Sequence, residues 1–288
     1  MMNLLKKGIG ILGSTTIDKI IAENGLQQKL GGVTTYAGIT YRRHGIPVFV
    51  ASNMAEKDLK HLDKLTAENI SIFRLNSDHS TTVLNRYSGD RRDMEILHLA
   101  SPIEFSQIQS ILEKVGCLHL GPLHPLDIEP GALNSLKTSG RMVILDAQGY
   151  TRMIRNRKVF QQICSLMPTA LKLAHIAKAN ETEAKTILDF FGMTLGQLMN
   201  RFEIEEFVVT LGFKGGFVQT RNGDVFYYDA KKIHGPADPT GAGDIFLAAY
   251  VVGRILHNKN IAEACASAAK LSARQLEGKH ITGNELRN

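Results

Sequence analysis

From residue 102 onward, short apolar runs alternate with stretches of helical period, and this restricts the fold more than any other feature of the chain. Runs at 117–120, 143–145 and 173–177 have strand length. Stretches near 108–115, 127–136 and 159–166 read as helices. Strands separated by helices pair in parallel, with the crossover helices covering both faces of the sheet. Apolar runs at 9–12, 46–51, 70–75 and 207–210 extend the same sheet, and helices are expected over 34–44, 57–69, 244–257 and 261–276. Two places break the alternation. Residues 80–87 and 93–99 flank Ser88-Gly89-Asp90, and residues 217–220 and 225–228 flank Asn222-Gly223; both read as hairpins. In open parallel sheets, ligands bind beyond the carboxyl ends of the strands. The loops after those ends are therefore where function is sought.

Size and charge narrow the classes. The 288 residues suffice for one large α/β domain or two small ones, and the 43% hydrophobic fraction is ordinary for a globular chain. No apolar run approaches the roughly 18 residues of a membrane span, and residues 1–7 lack the pattern of a secretory signal. The expected location is cytoplasmic. Three cysteines in apolar surroundings, with no CxxC, point to buried thiols. The net charge of +6 comes from scattered basic pairs. The densest basic set, Arg152, Arg155, Arg157 and Lys158, has no interleaved aromatics and reads as a solvated face, not a nucleic-acid surface. A modest positive field also suits an anionic nucleotide substrate.

Among the loops, Asp238-Pro239-Thr240-Gly241-Ala242-Gly243-Asp244 stands out, because Ile245, Ala248, Ala249, Val252 and Leu256 continue it at helical spacing. A helix start exposes unpaired N–H groups and the positive end of the helix dipole, and small residues leave that end open to an anion. Asp244 beside such a cradle is either a proton acceptor for an attacking hydroxyl or a helix cap. Asp18, five residues past Gly13 and just beyond the first strand, is either a ligand group or a turn former. Gly31-Gly32 before a helix permits close backbone approach by a small molecule. Asn180 and Glu183 have the spacing of a capping box. Gly8 to Gly13 spells GxGxxG, but the run lies within the first strand and does not open a helix, so the dinucleotide reading is rejected. No Walker A or protein-kinase signature is present.

The stretch Asp238–Asp244 resembles the C-terminal signature of the ribokinase-like (PfkB) carbohydrate kinases, Asp-x-Thr-Gly-Ala-Gly-Asp, at every fixed position. Gly13 and Asp18, Gly31-Gly32, Asn180 with Glu183, and the run Thr210-Leu211-Gly212-Phe213-Lys214-Gly215 are similar to further elements of that family. One departure is Tyr36, four residues after Gly32, where many relatives carry Asn. The resemblance implies an α/β fold with a mainly parallel central sheet, helices on both faces and a small β-sheet lid. Residues 1–18, 31–78 and 101–288 would form the core, and 19–30 and 79–100 the lid. It implies ATP-dependent phosphorylation of a hydroxyl on a small polyol such as a sugar, with a nucleoside or inositol acceptor, or a non-catalytic metabolite sensor, as alternatives. Asp244 would be the base, ionised at neutral pH, and the amides of Gly241, Ala242, Gly243 and Asp244 the anion hole. Asp18, Gly31 and Gly32 would hold the acceptor; Thr210, Gly212, Lys214 and Gly215 would meet ATP. Asn180 and Glu183 would hold the waters of Mg²⁺. A monovalent cation such as K⁺ near the signature loop, with Asp238 contributing, and a monomer or homodimer also follow from the resemblance.

Overall fold

The computed structural model describes residues 2–22, 25–88, 91–234, 238–282 and 286. After a short helix, Met2–Lys7, the first strand, β1 (Ile9–Leu12), is buried at every position. β2 (Thr16–Ala22) and β3 (Gly25–Gly31) then form an antiparallel pair that leaves the main sheet. β4 (Val48–Ala51) and β5 (Ser71–Phe73) return to it, whereas β6 (Thr82–Ser88) and β7 (Arg91–His98) join the second sheet. The chain continues through β8 (Cys117–Leu120), β9 (Met142–Asp146), β10 (Arg152–Arg155) and β11 (Lys158–Gln161). It ends with β12 (Ile176–Asn180), β13 (Glu206–Thr210), β14 (Gly216–Thr220) and β15 (Val225–Tyr228), before the helices Ala242–Val251 and Ile261–Leu276.

The nine-stranded sheet has the order β15-β14-β13-β12-β9-β8-β1-β4-β5. Its pairs are parallel from β5 to β13, and β14 and β15 close one edge antiparallel. This is the α/β architecture the alternation implies. Two apolar layers flank it. Ile9 and Ile11 of β1 pack on one side with the helices Val33–Arg43, Ala242–Val251 and Ile261–Leu276. Leu12, with Leu118, Leu120, Val143 and Leu145, packs on the other with helices such as Phe105–Leu112 and Glu181–Phe191. Gly10 of the first strand serves this packing: a Cβ there would lie 2.7 Å from the Ile111 side chain.

The second sheet has six strands, in the order β10-β11-β7-β6-β2-β3. Two of them correct the reading above. Residues 159–166 do not form a helix; Lys158–Gln161 is a strand that pairs antiparallel with Arg152–Arg155 and, through Lys158 and Glu95, with β7. Of the four residues of β11 only Val159 is partly buried, and Phe160 is exposed, so the strand lacks the buried stripe of a helix. The strand expected at 173–177 lies at Ile176–Asn180, which moves Lys178 into the interior. The hairpin tip Gly89-Asp90 lies outside the described residues.

The two sheets meet at the carboxyl edge of the large one, and glycines make the approach possible. A Cβ on Gly13 would come within 2.4 Å of the Gly121 carbonyl oxygen, and one on Gly121 within 2.4 Å of a Val33 methyl. The helix Val33–Arg43 is thus seated directly on the ends of β1 and β8. Gly121→Ala must displace Val33 or strain the chain. It is expected to cost on the order of 1–3 kcal/mol and to lower Tm by several degrees. Thermal denaturation of the variant with unchanged Tm would show that this seating does not matter.

Candidate active site

Gly241 opens the site. It adopts a left-handed conformation, φ 75°, and stands as the N-cap of the helix Ala242–Val251, with no side chain capping it. The first-turn amides therefore face outward without a side-chain partner, although the Ala242 N–H turns back to the Pro239 carbonyl at 3.3 Å. Asp244 lies in that first turn and makes no hydrogen bond to a described side chain or cap. Capping does not account for it. Its carboxylate lines a cavity that Asp18, Gly32, Asp146, Lys178 and Gly243 also line. Two acids set far apart along the chain, Asp18 and Asp244, are brought to one cavity.

Asp18 sits on β2 of the small sheet and is buried. The Thr16 hydroxyl donates to its Oδ1 at 2.7 Å. Gly31 acts by leaving space: a Cβ there would be 2.3 Å from Asp18 Oδ2. Gly32, φ 82°, is the N-cap of the helix Val33–Arg43, and a Cβ there would strike the Ser14 carbonyl oxygen at 2.1 Å. Ser14 is held in turn by Asp127, which accepts from its N–H at 3.0 Å and its hydroxyl at 2.7 Å, and from the Leu123 N–H at 2.8 Å. Asp127 thereby positions two cavity-lining residues without entering the cavity.

The electrostatics depend on residues that sequence reasoning missed. Lys178, buried on β12, donates to Asp146 Oδ2 at 2.8 Å, and Asp146 Oδ1 accepts from the Gln148 N–H at 3.1 Å. A Cβ on Gly243 would lie 3.0 Å from Lys178 Nζ, so this ammonium stands at the rim of the anion cradle. Burial works against the Lys178 charge, but Asp146, Glu183 and Asp244 outweigh it and hold the ammonium above its ordinary range. Arg152 also lines the cavity, reaching it from the small sheet. It does not belong to a wholly solvated face, though Arg155, Arg157 and Lys158 are exposed.

Asp244 departs from the expectation of a fully ionised carboxylate. Burial, then the charge of Asp146, push its pKa up to about 7, with Asp18 adding and with Lys178 and Arg152 opposing. The helix dipole does not outweigh these. A carboxylate that titrates near neutrality is matched to accepting a proton from an alcohol.

Asn180 and Glu183 form a full capping box. The Glu183 N–H donates to Asn180 Oδ1 at 2.9 Å and the Asn180 N–H to Glu183 Oε2 at 2.9 Å. Glu183 is buried, and burial raises its pKa against the pull of Lys178. Among the described residues no group of three or more His, Cys, Asp or Glu side chains is placed to hold a metal directly. Neither Asn180 nor Glu183 lines the cavity. Thr210 pairs in register with Asn180. Neither Thr210, Gly212, Lys214 nor Gly215 lines the cavity. Gly212 and Lys214 are exposed, while Gly215, φ 88°, is packed against the Tyr228 carbonyl. Asp238 accepts from Lys29 Nζ and the Thr240 N–H, each at 3.0 Å, which ties the small sheet to the signature loop. Burial opposes its charge, but these bonds hold its pKa below the ordinary range.

The raised pKa of Asp244 has a consequence for stability. Its folded value is about 7, whereas an unfolded Asp titrates near 3.9. Between these values the unfolded state loses its proton first, so stability falls as pH rises through that window. Asp244→Asn removes the penalty. The variant's Tm is expected to exceed that of the natural chain by a margin that grows from pH 4 to pH 7 and then levels. A margin independent of pH would contradict the burial and charge balance described.

Comparison with known proteins adds to this geometry. No curated protein matches the chain in sequence. Among solved structures, a pyrophosphate-dependent kinase in the ribokinase family, in a sulfate complex, superposes with a TM-score of 0.81 at 21% identity, covering 96% of this chain and 97% of that one. A nucleoside kinase of Burkholderia thailandensis in complex with inosine gives 0.77 at 18% identity, over 96% and 92%. Ribokinase from Thermotoga maritima gives 0.72 at 19%, over 93% and 92%. At these identities the likeness is one of fold. The sequence model of the pfkB family carbohydrate kinases matches residues 39–283, most of the chain and all of the signature loop. The chain belongs to the pfkB family of carbohydrate kinases.

Proposed function

We propose that this chain transfers the terminal phosphoryl group of ATP to a hydroxyl of a small polyol, a sugar or cyclitol, with Asp244 as general base. The observation that carries the reading is the meeting of Asp18 and Asp244 in one cavity at an uncapped helix N-terminus. Asp18, with the Gly32 backbone, orients the acceptor. The acceptor oxygen attacks the γ-phosphorus, the bond from that phosphorus to the β,γ-bridging oxygen breaks, and ADP leaves. The acceptor's proton passes to Asp244. The amides of the first turn of Ala242–Val251, with the Lys178 ammonium beside them, stabilise the charge on the migrating group. Asn180 and Glu183 would hold the waters of a bound Mg²⁺, which would neutralise charge on the donor phosphates. Thr210, Gly212, Lys214 and Gly215 would flank the nucleotide.

A metabolite sensor without turnover is disfavoured. Holding Asp244 at a pKa of about 7 costs stability, which a binding module has no need to spend. A second donor, pyrophosphate, is favoured by one observation. Structures with TM-scores of 0.81 and 0.80 are of a pyrophosphate-dependent kinase, the second complexed with a pyrophosphate analog and myo-inositol. A nucleoside acceptor is the corresponding alternative from the inosine complex.

The test is a matrix of ATP and pyrophosphate against sugars, cyclitols and nucleosides, with phosphate ester formation followed by ³¹P NMR. Turnover with at least one polyol is expected, and none with any pair would overturn the reading. For the active pair, kcat/KM should rise with pH to a plateau above an inflection near 7, the value of Asp244. Asp244→Asn should lower kcat by roughly 10²–10⁴ with donor KM little changed. Retention of natural turnover would remove Asp244 from its role.

A further inference from the structure

A second cavity, of about 750 Å³, lies at the amino edge of the large sheet and shares no lining residue with the cavity of Asp18 and Asp244. Met142 at the start of β9, Ile176 at the start of β12 and Glu206 at the start of β13 contribute to its lining. Arg254 and Ile255 reach it from the π-helical segment Val252–Leu256, which continues the helix Ala242–Val251. Its volume falls in the range of small-molecule sites, roughly 300–1,000 Å³.

The polar side chains of the lining that have capacity to spare are donors. His175 Nδ1 accepts from the Val143 N–H at 3.1 Å, so the neutral ring carries its proton on Nε2. Arg141 donates to the Leu112 carbonyl through Nε at 3.1 Å and Nη2 at 2.9 Å, which fixes the guanidinium and leaves Nη1 unused. Lys137 and Lys172 are exposed, and neither ammonium makes a hydrogen bond or ion pair with a described residue. The two carboxylates, by contrast, are committed. Glu205 accepts from Arg221 Nη1 at 3.0 Å, and Glu206 accepts from Arg254 Nε at 3.0 Å and from the Tyr250 hydroxyl. A single surface lysine is ordinarily just solvated; here two share a cavity with a fixed guanidinium, and no acid of the lining is left to pair with them. Leu136, Ile176 and Ile255 make the rest of the lining apolar. We propose that this cavity is a binding site for a small organic anion, with a phosphate or carboxylate head on an aliphatic body. The head is held by charge-assisted bonds from Lys137, Arg141 and Lys172, and the body packs on the leucine and isoleucine side chains.

The test is isothermal titration calorimetry of the full chain with hexyl phosphate and with hexanoate, with hexanol and hexylamine as neutral and cationic controls. Saturable binding is expected for at least one of the two anions, and the pair of titrations decides between a phosphate and a carboxylate head. Affinity should rise along the methyl, butyl and hexyl members of the binding series, by up to about fourfold per methylene. It should fall as salt is added. Lys137→Ala combined with Lys172→Ala should weaken binding by about tenfold or more, since two charge-assisted contacts are lost. Neither lysine lines the cavity of Asp244, so that loss separates this site from anions held at the signature loop. Lys137→Gln with Lys172→Gln keeps most of each side chain and carries the same test should the Ala variant fold poorly. No binding by either anion, binding of hexanol as tight as that of the anions, or unchanged affinity in the double variants would overturn the inference.

Discussion

The site depends on how three carboxylates and one buried ammonium share a small volume. Lys178 is committed to Asp146 at 2.8 Å and lies against Gly243. The pair satisfies its own charges and leaves Asp244 beside it under the repulsion of Asp146, partly offset by Lys178 and Arg152. A buried pair of this kind adds little net stability, because desolvation consumes much of the Coulombic gain. What it provides is a fixed field. Without Lys178, Asp146 and Asp244 would repel each other at the cradle with only Arg152 to offset them. With it, the cradle has a positive rim at the point where the amides of the signature loop converge.

The backbone answers to the same demand for close approach. Gly31 makes room for the Asp18 carboxylate, Gly32 for the Ser14 carbonyl, and Gly241 for the ring of Tyr36, which a Cβ would meet at 2.2 Å. None of these contacts tolerates a side chain at the glycine. The two helices that begin at Val33 and Ala242 are packed against each other, with Ile245 through Val251 buried. Their N-termini open on one cavity, so the two helix starts form one body of structure. The Lys29–Asp238 bridge extends that body to the small sheet.

Much of this was legible in the chain. The parallel sheet followed from contiguous apolar runs, each a local signal, and the cradle followed from seven consecutive residues. The elements that escaped were those whose meaning is non-local. The β10–β11 pair has few apolar positions and is held by β7, distant in sequence, so its local pattern passed for a helix. Arg152 looked like one of a solvated basic set until that pairing carried it to the cavity. Lys178 did leave a signal: a lysine within a parallel strand covered on both faces has no solvent to reach and must find an anion. Which anion it finds is set by the register of β12 on β9, where Lys178 stands opposite Asp146. The titration of Asp244 was out of reach for the same reason, since an isolated Asp at a helix start would ionise readily.

Tyr36 shows how a visible departure from a family pattern acquires a physical meaning. An Asn at this position would offer the cavity a polar side chain; Tyr36 offers a ring, buried, against the Gly241 peptide. The ring covers the residue that must remain left-handed for the helix to begin where it does. It also joins Val83 and Met94 among the apolar groups of the lining. The ring thus packs the helix Val33–Arg43 against the start of the signature loop's helix. Beside it, the short segment Ser14–Thr16 is held in place by hydrogen bonds with Asp127, Ser52 and Thr34. That bonding fixes Ser14 and Thr16, which line the cavity beside Asp18.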